Sequence, residues 1–226
     1  MNHHLINQIE KIRNTIPSHV RLIAVTKTVS VEVIKILYDQ GLRDFAENKL
    51  QLALIKQSQL ENLPDICWHF IGHLQTNKAK KAVESFPWIH SVDSLKIAQK
   101  LNLYAQQAYQ ENTIKNLPQV CLQVKLLPDD NKYGWSVENL WQDLTYLQQL
   151  NHLNIRGLMT ILPLGLSSEE KLSTFQKLTT LADKIKEDNY FTPQFTELSM
   201  GMSEDYPLAI SAGATMVRLG RILFEV

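Results

Sequence analysis

The strongest constraint on the fold is an alternation of short apolar runs with amphipathic segments of helical period, repeated along nearly the whole chain. The runs have the length and composition of buried β-strands, and most are followed by a segment whose apolar residues recur every three or four positions. Such alternation requires crossover connections and therefore predicts a parallel sheet. The predicted strands span residues 21–26, 42–47, 67–72, 88–92, 119–126, 154–161, 195–200 and 214–220.

Eight strand–helix units in roughly 200 residues are expected of a (β/α)8 barrel at the small end of its size range. We therefore predict an α/β chain folded as a single (β/α)8 TIM barrel domain over residues 1–226, with an N-terminal helix at about 2–16 and the barrel at about 20–224. A doubly wound open sheet is the alternative, but it usually needs fewer strands. The sequence contains neither GxGxxG nor GxxxxGK[ST], which disfavours nucleotide binding through either loop.

Composition narrows the functional class. Lys and Arg number 23, and Asp and Glu also number 23, so the formal net charge is zero; this argues against a general nucleic-acid binder. No apolar stretch approaches the ~18 residues that cross a membrane, and the N-terminus lacks the apolar core of a signal peptide, so we expect no membrane partner and a cytoplasmic protein. Cys67 and Cys121 lie in strand-like runs and are expected to be buried thiols of a reducing compartment.

The chemistry of such a barrel is expected at the carboxyl ends of its strands. Lys27 ends the first strand, where a lysine is costly unless it is paired or used chemically. It is a candidate for a lysine that forms a Schiff base. The alternative is a lysine whose ammonium simply extends into solvent.

The loops after the seventh and eighth strands are candidates for an anion site. Ser199, Met200 and Gly201 lie where the seventh strand ends, and Gly220 and Arg221 lie where the eighth ends. Phosphate sites in barrels are commonly built from these two loops and a helix N-terminus. The alternative is ordinary turn chemistry, with Ser203 as a helix cap.

Other polar residues at the predicted barrel mouth leave more than one interpretation. Arg218 could contact a phosphate or a heterocycle nitrogen, or could form an ion pair with Glu47, Glu197 or Asp205. Lys125 could be a second lysine near the site or a charge at the rim. The spacing of His69 and His73 is not that of a helical zinc site, so we predict no metal.

Six segments of the sequence together resemble the YggS/PROSC family of pyridoxal 5'-phosphate (PLP) binding proteins, which are implicated in PLP homeostasis. They are AVTKTVS (24–30), FAENKLQ (45–51), WHFIGHLQTNKAK (68–80), IRGLMTI (155–161), LSMGMSEDYPLAI (198–210) and GATMVRLGRILF (213–224). The resemblance covers about Leu22 to Phe224. It implies a single barrel like the N-terminal domain of alanine racemase, with PLP as the cofactor.

The resemblance also implies a role for individual residues. Lys27 would hold PLP as a Schiff base, and Arg218 would face its pyridine nitrogen. The other implied cofactor residues are Asn48 and His73 around the ring, and Ser199, Met200 and Gly201 with the backbone of Gly220 and Arg221 at the phosphate. The sequence departs from the family at Lys125, where Asn is frequent, and at Arg221, where Thr or Ser is common. The second departure removes a hydroxyl contact to phosphate but leaves the backbone contact.

The implied function is cofactor binding with little or no turnover and no catalytic residue. An arginine at the ring nitrogen keeps the ring unprotonated, which weakens its action as an electron sink. Racemisation also needs a second base, and the last predicted strand ends so close to Val226 that we expect no second domain to supply one. We therefore expect a monomer whose partners are PLP and, by the resemblance, PLP-dependent apo-enzymes or regulatory proteins. A slow PLP-dependent amino-acid racemase and a regulator acting through a protein partner stay open as alternatives.

Overall fold

The computed structural model is a closed barrel of eight parallel strands, which confirms the predicted (β/α)8 architecture. Each strand pairs with its neighbour in sequence, and the eighth pairs with the first to close the barrel. The structure describes residues 2–129, 132–191 and 193–224; Met1, Asp130, Asn131, Thr192, Glu225 and Val226 lie outside the described residues. The strands are β1 (Arg21–Val25), β2 (Asp44–Glu47), β3 (Cys67–Phe70), β4 (Trp88–Val92), β5 (Gln119–Gln123), β6 (Asn154–Met159), β7 (Glu197–Ser199) and β8 (Met216–Leu219).

Helices follow the strands and cover the outside of the barrel. In the described residues they are α1 (Asn2–Arg13), α2 (Val31–Asp39), α3 (Leu50–Gln59), α4 (Ala79–Ser85), α5 (Leu95–Gln110), α6 (Val137–Leu147), α7 (Ser168–Glu187), α8 (Tyr206–Ser211) and α9 (Arg221–Phe224). A 3-10 turn at Thr76–Lys78 precedes α4. None of the helices in the described part of the chain is long and apolar enough to span a membrane.

The predicted ends of two elements were wrong by three residues. The N-terminal helix ends at Arg13 rather than at residue 16, because the hydroxyl of Thr15 donates to the carbonyl of Ile12 at 2.7 Å and competes with the helical pattern. Ile55 of α3 is 54% exposed although it is apolar, whereas Leu50 and Ala53 of the same helix are buried. The fifth strand ends at Gln123, three residues early, because the amide of Lys125 donates to the returning loop at 2.8 Å.

Two apolar layers stabilise the fold, one between strands and helices and one inside the barrel. The inner cluster contains Ile23, Val25, Ala46, Trp88, Cys121, Met159 and Met216. Side chains alternate between the two faces of a strand, so β1 presents Ile23 and Val25 to the interior. Both cysteines are free thiols; Cys121 is buried, as predicted, and Cys67 is only half-buried.

Candidate functional site

Lys27 lies in the turn directly after β1, at the carboxyl-terminal mouth of the barrel, and its side chain is exposed. The residue before it is held by buried groups. The amide of Thr26 donates to the carbonyl of Ala46 at 3.0 Å, and its hydroxyl donates to Glu47 Oε1 at 2.7 Å. Lys56 Nζ then donates to the carbonyl of Thr26 at 2.7 Å and to Glu47 Oε1 at 2.8 Å. The structure thus presents a primary amine at the mouth on a rigidly held turn.

The role of Glu47 and Lys56 in this turn was not predicted from the sequence. Glu47 is fully buried, and its Oε2 has no hydrogen-bond partner among the described residues. It lies on the helix side of β2 rather than at the barrel mouth, and Lys56 of α3 neutralises it. The only indication in the sequence was that Glu47, a charged residue, lies within an apolar strand.

The loops after β7 and β8 form one continuous surface. The amide of Arg218 donates to the carbonyl of Gly201 at 3.0 Å, and the amide of Ile222 donates to Ser203 Oγ at 3.3 Å. Gly201 has φ +92°, and a Cβ there would lie 2.6 Å from Cβ of Ala209, so only glycine fits. The helix after this loop begins at Tyr206, so Ser203 is not its cap as the turn interpretation proposed.

This surface carries backbone donors that suit a small oxyanion. The amides of Gly201 and Gly220 donate no hydrogen bond to any acceptor in the described residues. Gly220 also lies beside the end of β1, since a Cβ on it would be 3.5 Å from the carbonyl oxygen of Val25. Met200 differs, because its amide donates to the carbonyl of Met216 at 3.1 Å and its side chain is buried. The free donors fit the phosphate predicted from the sequence.

Arg218 is buried inside the barrel, and no carboxylate of the described residues pairs with it. Its Nη1 donates to Ser199 Oγ at 2.6 Å, and its Nη2 donates to the carbonyl of Thr160 at 3.0 Å. The structure contradicts an ion pair with Glu47, Glu197 or Asp205, since both acceptors are uncharged. Burial lowers the pKa of the guanidinium to about 10, so it remains a cation at neutral pH.

Ser199 lies on the inner face of β7, completely buried. Besides accepting from Arg218, its Oγ lies 2.7 Å from His90 Nδ1. The hydroxyl is therefore occupied by side chains of the barrel interior. His90 was not predicted from the sequence as a residue of the site. The available indication was alternation in the strand WIHSV, which places His90 on the same inward face as Trp88.

Asn48 and His73 lie at the ends of β2 and β3. The two loops are in backbone contact, because a Cβ on Gly72 would be 2.0 Å from the carbonyl oxygen of Asn48. His73 Nδ1 is 3.0 Å from Asp93 Oδ2, and its ring stacks on Tyr133 at 3.6 Å between centroids. Tyr133 belongs to the connection between β5 and α6, so this connection reaches the end of β3.

A separate group of metal-type ligands lies at the other end of the barrel. Asp44, Cys67 and His69 place ligand atoms within 4.8 Å of one another. Arg21 is 3.9 Å from the Asp44 carboxylate, and burial raises the pKa of the Cys67 thiol to about 12. Both features oppose a bound cation. His73, the other histidine considered for a metal, does not belong to this group.

Comparison with known proteins places the chain in a family. The family model described as alanine racemase, N-terminal domain, matches residues 2–226. The pyridoxal phosphate homeostasis protein of Synechocystis sp. is 54% identical over 210 residues, 93% of this chain and 93% of that protein. This chain belongs to the pyridoxal phosphate homeostasis protein family. The member from Pseudomonas aeruginosa is 40% identical and covers 92% of this chain and 85% of its own length.

Solved structures agree with this family membership. PipY of Synechococcus elongatus PCC7942, solved with PLP bound, is 43% identical with a TM-score of 0.90, over 97% of this chain and 99% of that chain. Alanine racemase of Clostridium difficile 630, in complex with cycloserine, is 19% identical with a TM-score of 0.76, over 97% of this chain and 58% of that chain. The racemase shows the fold alone, and it confirms the predicted likeness to that enzyme's barrel.

Proposed function

We propose that this protein binds PLP at the barrel mouth, on Lys27, and serves PLP homeostasis as a cofactor holder. The observation that carries the proposal is the exposed amine of Lys27 just after β1, the strand whose last residue, Val25, lies beside Gly220 and its free amide. The PLP-bound structure of PipY and the names of the curated relatives support it. When bound, PLP supplies an aldehyde that condenses with a primary amine and a ring that can accept electrons.

The two loops after β7 and β8 would hold the phosphate. The free amides of Gly201 and Gly220 offer hydrogen bonds to oxyanions, and the amide of Arg221 follows them at the start of α9. The side chain of Arg221 pairs with Glu204 on the surface, so the backbone of Arg221 is the part available to the phosphate. Asn48 and His73 would lie around the ring, on the opposite side of the mouth.

Arg218 would face the pyridine nitrogen. Its guanidinium only donates hydrogen bonds, and its two contacts to Ser199 and Thr160 leave further N–H groups. Such a neighbour stabilises an unprotonated ring nitrogen, because a protonated one would place two cations against each other. A neutral ring is a weaker electron sink, so we propose little or no turnover.

A single chain supplies every residue of this site. Lys27, Arg218 and the two phosphate loops come from β1, β7 and β8, which are neighbours in the barrel. We therefore propose a monomer as the functional unit. A stable dimer that loses PLP on dissociation contradicts this part of the proposal.

The test is a PLP titration of the purified protein, followed by visible absorbance. Wild type should develop an absorbance band that free PLP lacks and that saturates as PLP is added, whereas Lys27→Met should not. Lys125→Met, which also removes a lysine at the rim, should behave as wild type. Loss of the band in Lys125→Met with retention in Lys27→Met would overturn the assignment. Deuterium wash-in from heavy water into added amino acids measures turnover, and rapid exchange would favour the racemase alternative.

A further inference from the structure

A line of buried polar side chains crosses the barrel interior. Asp44 Oδ1 lies 2.9 Å from His69 Nε2, and His69 Nδ1 lies 2.8 Å from His90 Nε2. His90 Nδ1 lies 2.7 Å from Ser199 Oγ, which lies 2.6 Å from Nη1 of Arg218. The three middle residues are completely buried. The line therefore runs unbroken from the start of β2, at the closed end of the barrel, to the arginine near its mouth.

The two ends fix the direction of every hydrogen bond. A guanidinium can only donate, and a carboxylate can only accept. The Ser199 oxygen therefore accepts from Arg218. It gives its own proton to His90 Nδ1, because a neutral His69 that donates to Asp44 from Nε2 must accept from His90 Nε2 at its Nδ1. His90 must then carry its proton on Nε2 and donate to His69.

The last link follows in the same way. His69 accepts at Nδ1, carries its proton on Nε2 and donates to Asp44. Both imidazoles are neutral in this arrangement, which agrees with burial lowering the pKa of each ring. Only this placement of protons satisfies all four contacts with neutral rings.

We propose that Asp44, His69 and His90 are positioning residues for the ligand site. With Ser199 they form a one-way hydrogen-bond relay, which holds the guanidinium of Arg218 and couples the Asp44 carboxylate to it. The relay rests on the geometry of this chain alone. Only its last consequence, an effect on bound PLP, rests on the proposed function.

The physical basis of the coupling is mutual polarisation. In a low-dielectric interior, each hydrogen bond in a chain strengthens the next. The Asp44 carboxylate at one end of the relay makes the Ser199 oxygen a stronger hydrogen-bond acceptor at the other end. The stronger acceptor draws the Arg218 guanidinium away from the barrel mouth.

A cationic side chain, Arg21, lies beside the carboxylate at the far end of the relay. Nη1 of Arg21 lies 3.9 Å from Asp44, and the same guanidinium lies over the Trp88 ring at 5.3 Å. The Cys67 thiol is the other titratable group beside this carboxylate, and burial keeps it protonated. Trp88 in turn stacks on His69 at 5.8 Å between ring centroids. The His69 ring is therefore held both by Trp88 and by the Asp44 carboxylate.

The relay itself can be tested without any ligand. Nitrogen-15 NMR of the histidine-labelled protein reports which ring nitrogen carries the proton. His69 and His90 should both be neutral with the proton on Nε2 at neutral pH. A proton on Nδ1 of either ring, or a doubly protonated ring, overturns the proposal.

The coupling to the ligand is tested on PLP-loaded protein by pH titration of the visible absorbance. Asp44→Asn should shift the midpoint to lower pH, because the relay loses its terminal negative charge. Glu197→Gln is the matched control: it removes a carboxylate at the same end of the barrel, but one that accepts from Thr215 at 2.7 Å and lies outside the relay. An equal shift in the two variants, or none in Asp44→Asn, overturns the coupling.

A second variant covers the case in which Asp44→Asn does not fold. His90→Asn keeps an oxygen near the position of Nδ1 for Ser199 but cannot reach His69, and it should shift the midpoint in the same direction. Failure of every variant and of wild type to bind PLP would overturn the proposed function, whereas the NMR measurement would still decide the relay.

Discussion

Replacing Ser199 with alanine should destabilise the protein more than removing any ordinary buried hydroxyl. The hydroxyl serves two partners at once, since Nη1 of Arg218 donates to it at 2.6 Å and His90 Nδ1 lies 2.7 Å away. Alanine leaves both groups buried without a partner. Ser91 provides a matched control, because it is also a buried strand serine and its hydroxyl donates only to the carbonyl of Gly72.

The magnitude follows from the number of groups left unpaired. A buried polar group that loses its partner costs about 1–3 kcal/mol, and a charged group costs more. Ser199→Ala leaves two such groups and should lower the free energy of unfolding by about 2–6 kcal/mol, whereas Ser91→Ala should lower it by about 1–3 kcal/mol. A domain has roughly 5–15 kcal/mol of stability in total, so the first variant loses a large share.

Urea unfolding followed by circular dichroism measures both changes. At an unchanged slope, the midpoint of each variant gives its loss of free energy directly. We expect the loss in Ser199→Ala to be about twice that in Ser91→Ala. A loss in Ser199→Ala equal to or smaller than that of the control would show that the hydroxyl is not shared, and would refute the reasoning.

Three further predictions concern other buried groups. Burial lowers the pKa of His69 and His90, so only the unfolded chain gains protons on these rings below about pH 6.5. The free energy of unfolding should therefore fall by up to about 1.4 kcal/mol per pH unit for each ring as the pH is lowered. A free energy from urea unfolding that stays constant from neutral pH to about 5 would be inconsistent with this. Lys56→Met leaves the Glu47 carboxylate buried without its cation and should lower the free energy of unfolding by about 3–5 kcal/mol. Adding Glu47→Leu to this variant should restore most of the loss. Urea unfolding measures both variants, and no recovery in the double variant would contradict the pairing. Gly201→Ala strains a φ of +92° and should weaken PLP binding in absorbance titrations, which wild-type affinity would contradict.

The strands and their order followed from the sequence because the strand–helix period repeats eight times with little interruption. The end of β5 was wrong because it depends on a contact with a more distant segment. β5 ends early because Trp135 returns to accept from Lys125, and no local pattern indicates that return. Ile55 fits a helical stripe, yet the barrel buries a different face of α3.

The candidate site was predictable where it depends on position along a strand. Lys27 and Arg218 both end inward-facing runs, and alternation alone places them at or near the mouth. The relay could not be predicted, because Ser199 and His90 lie 109 positions apart in the chain. Which inward side chains meet across a barrel depends on its stagger and tilt, and register shifts occur here between β4 and β5.

The most direct test of the central claim is to trap the cofactor on its lysine. The protein is loaded with PLP, reduced with borohydride, digested, and its peptides are sequenced by mass spectrometry. Reduction fixes the pyridoxyl group to the amine that holds it, so the label should appear on the peptide that contains Lys27 and disappear in Lys27→Arg. A label found on Lys125 or on a surface lysine, with Lys27 unmodified, would contradict the account.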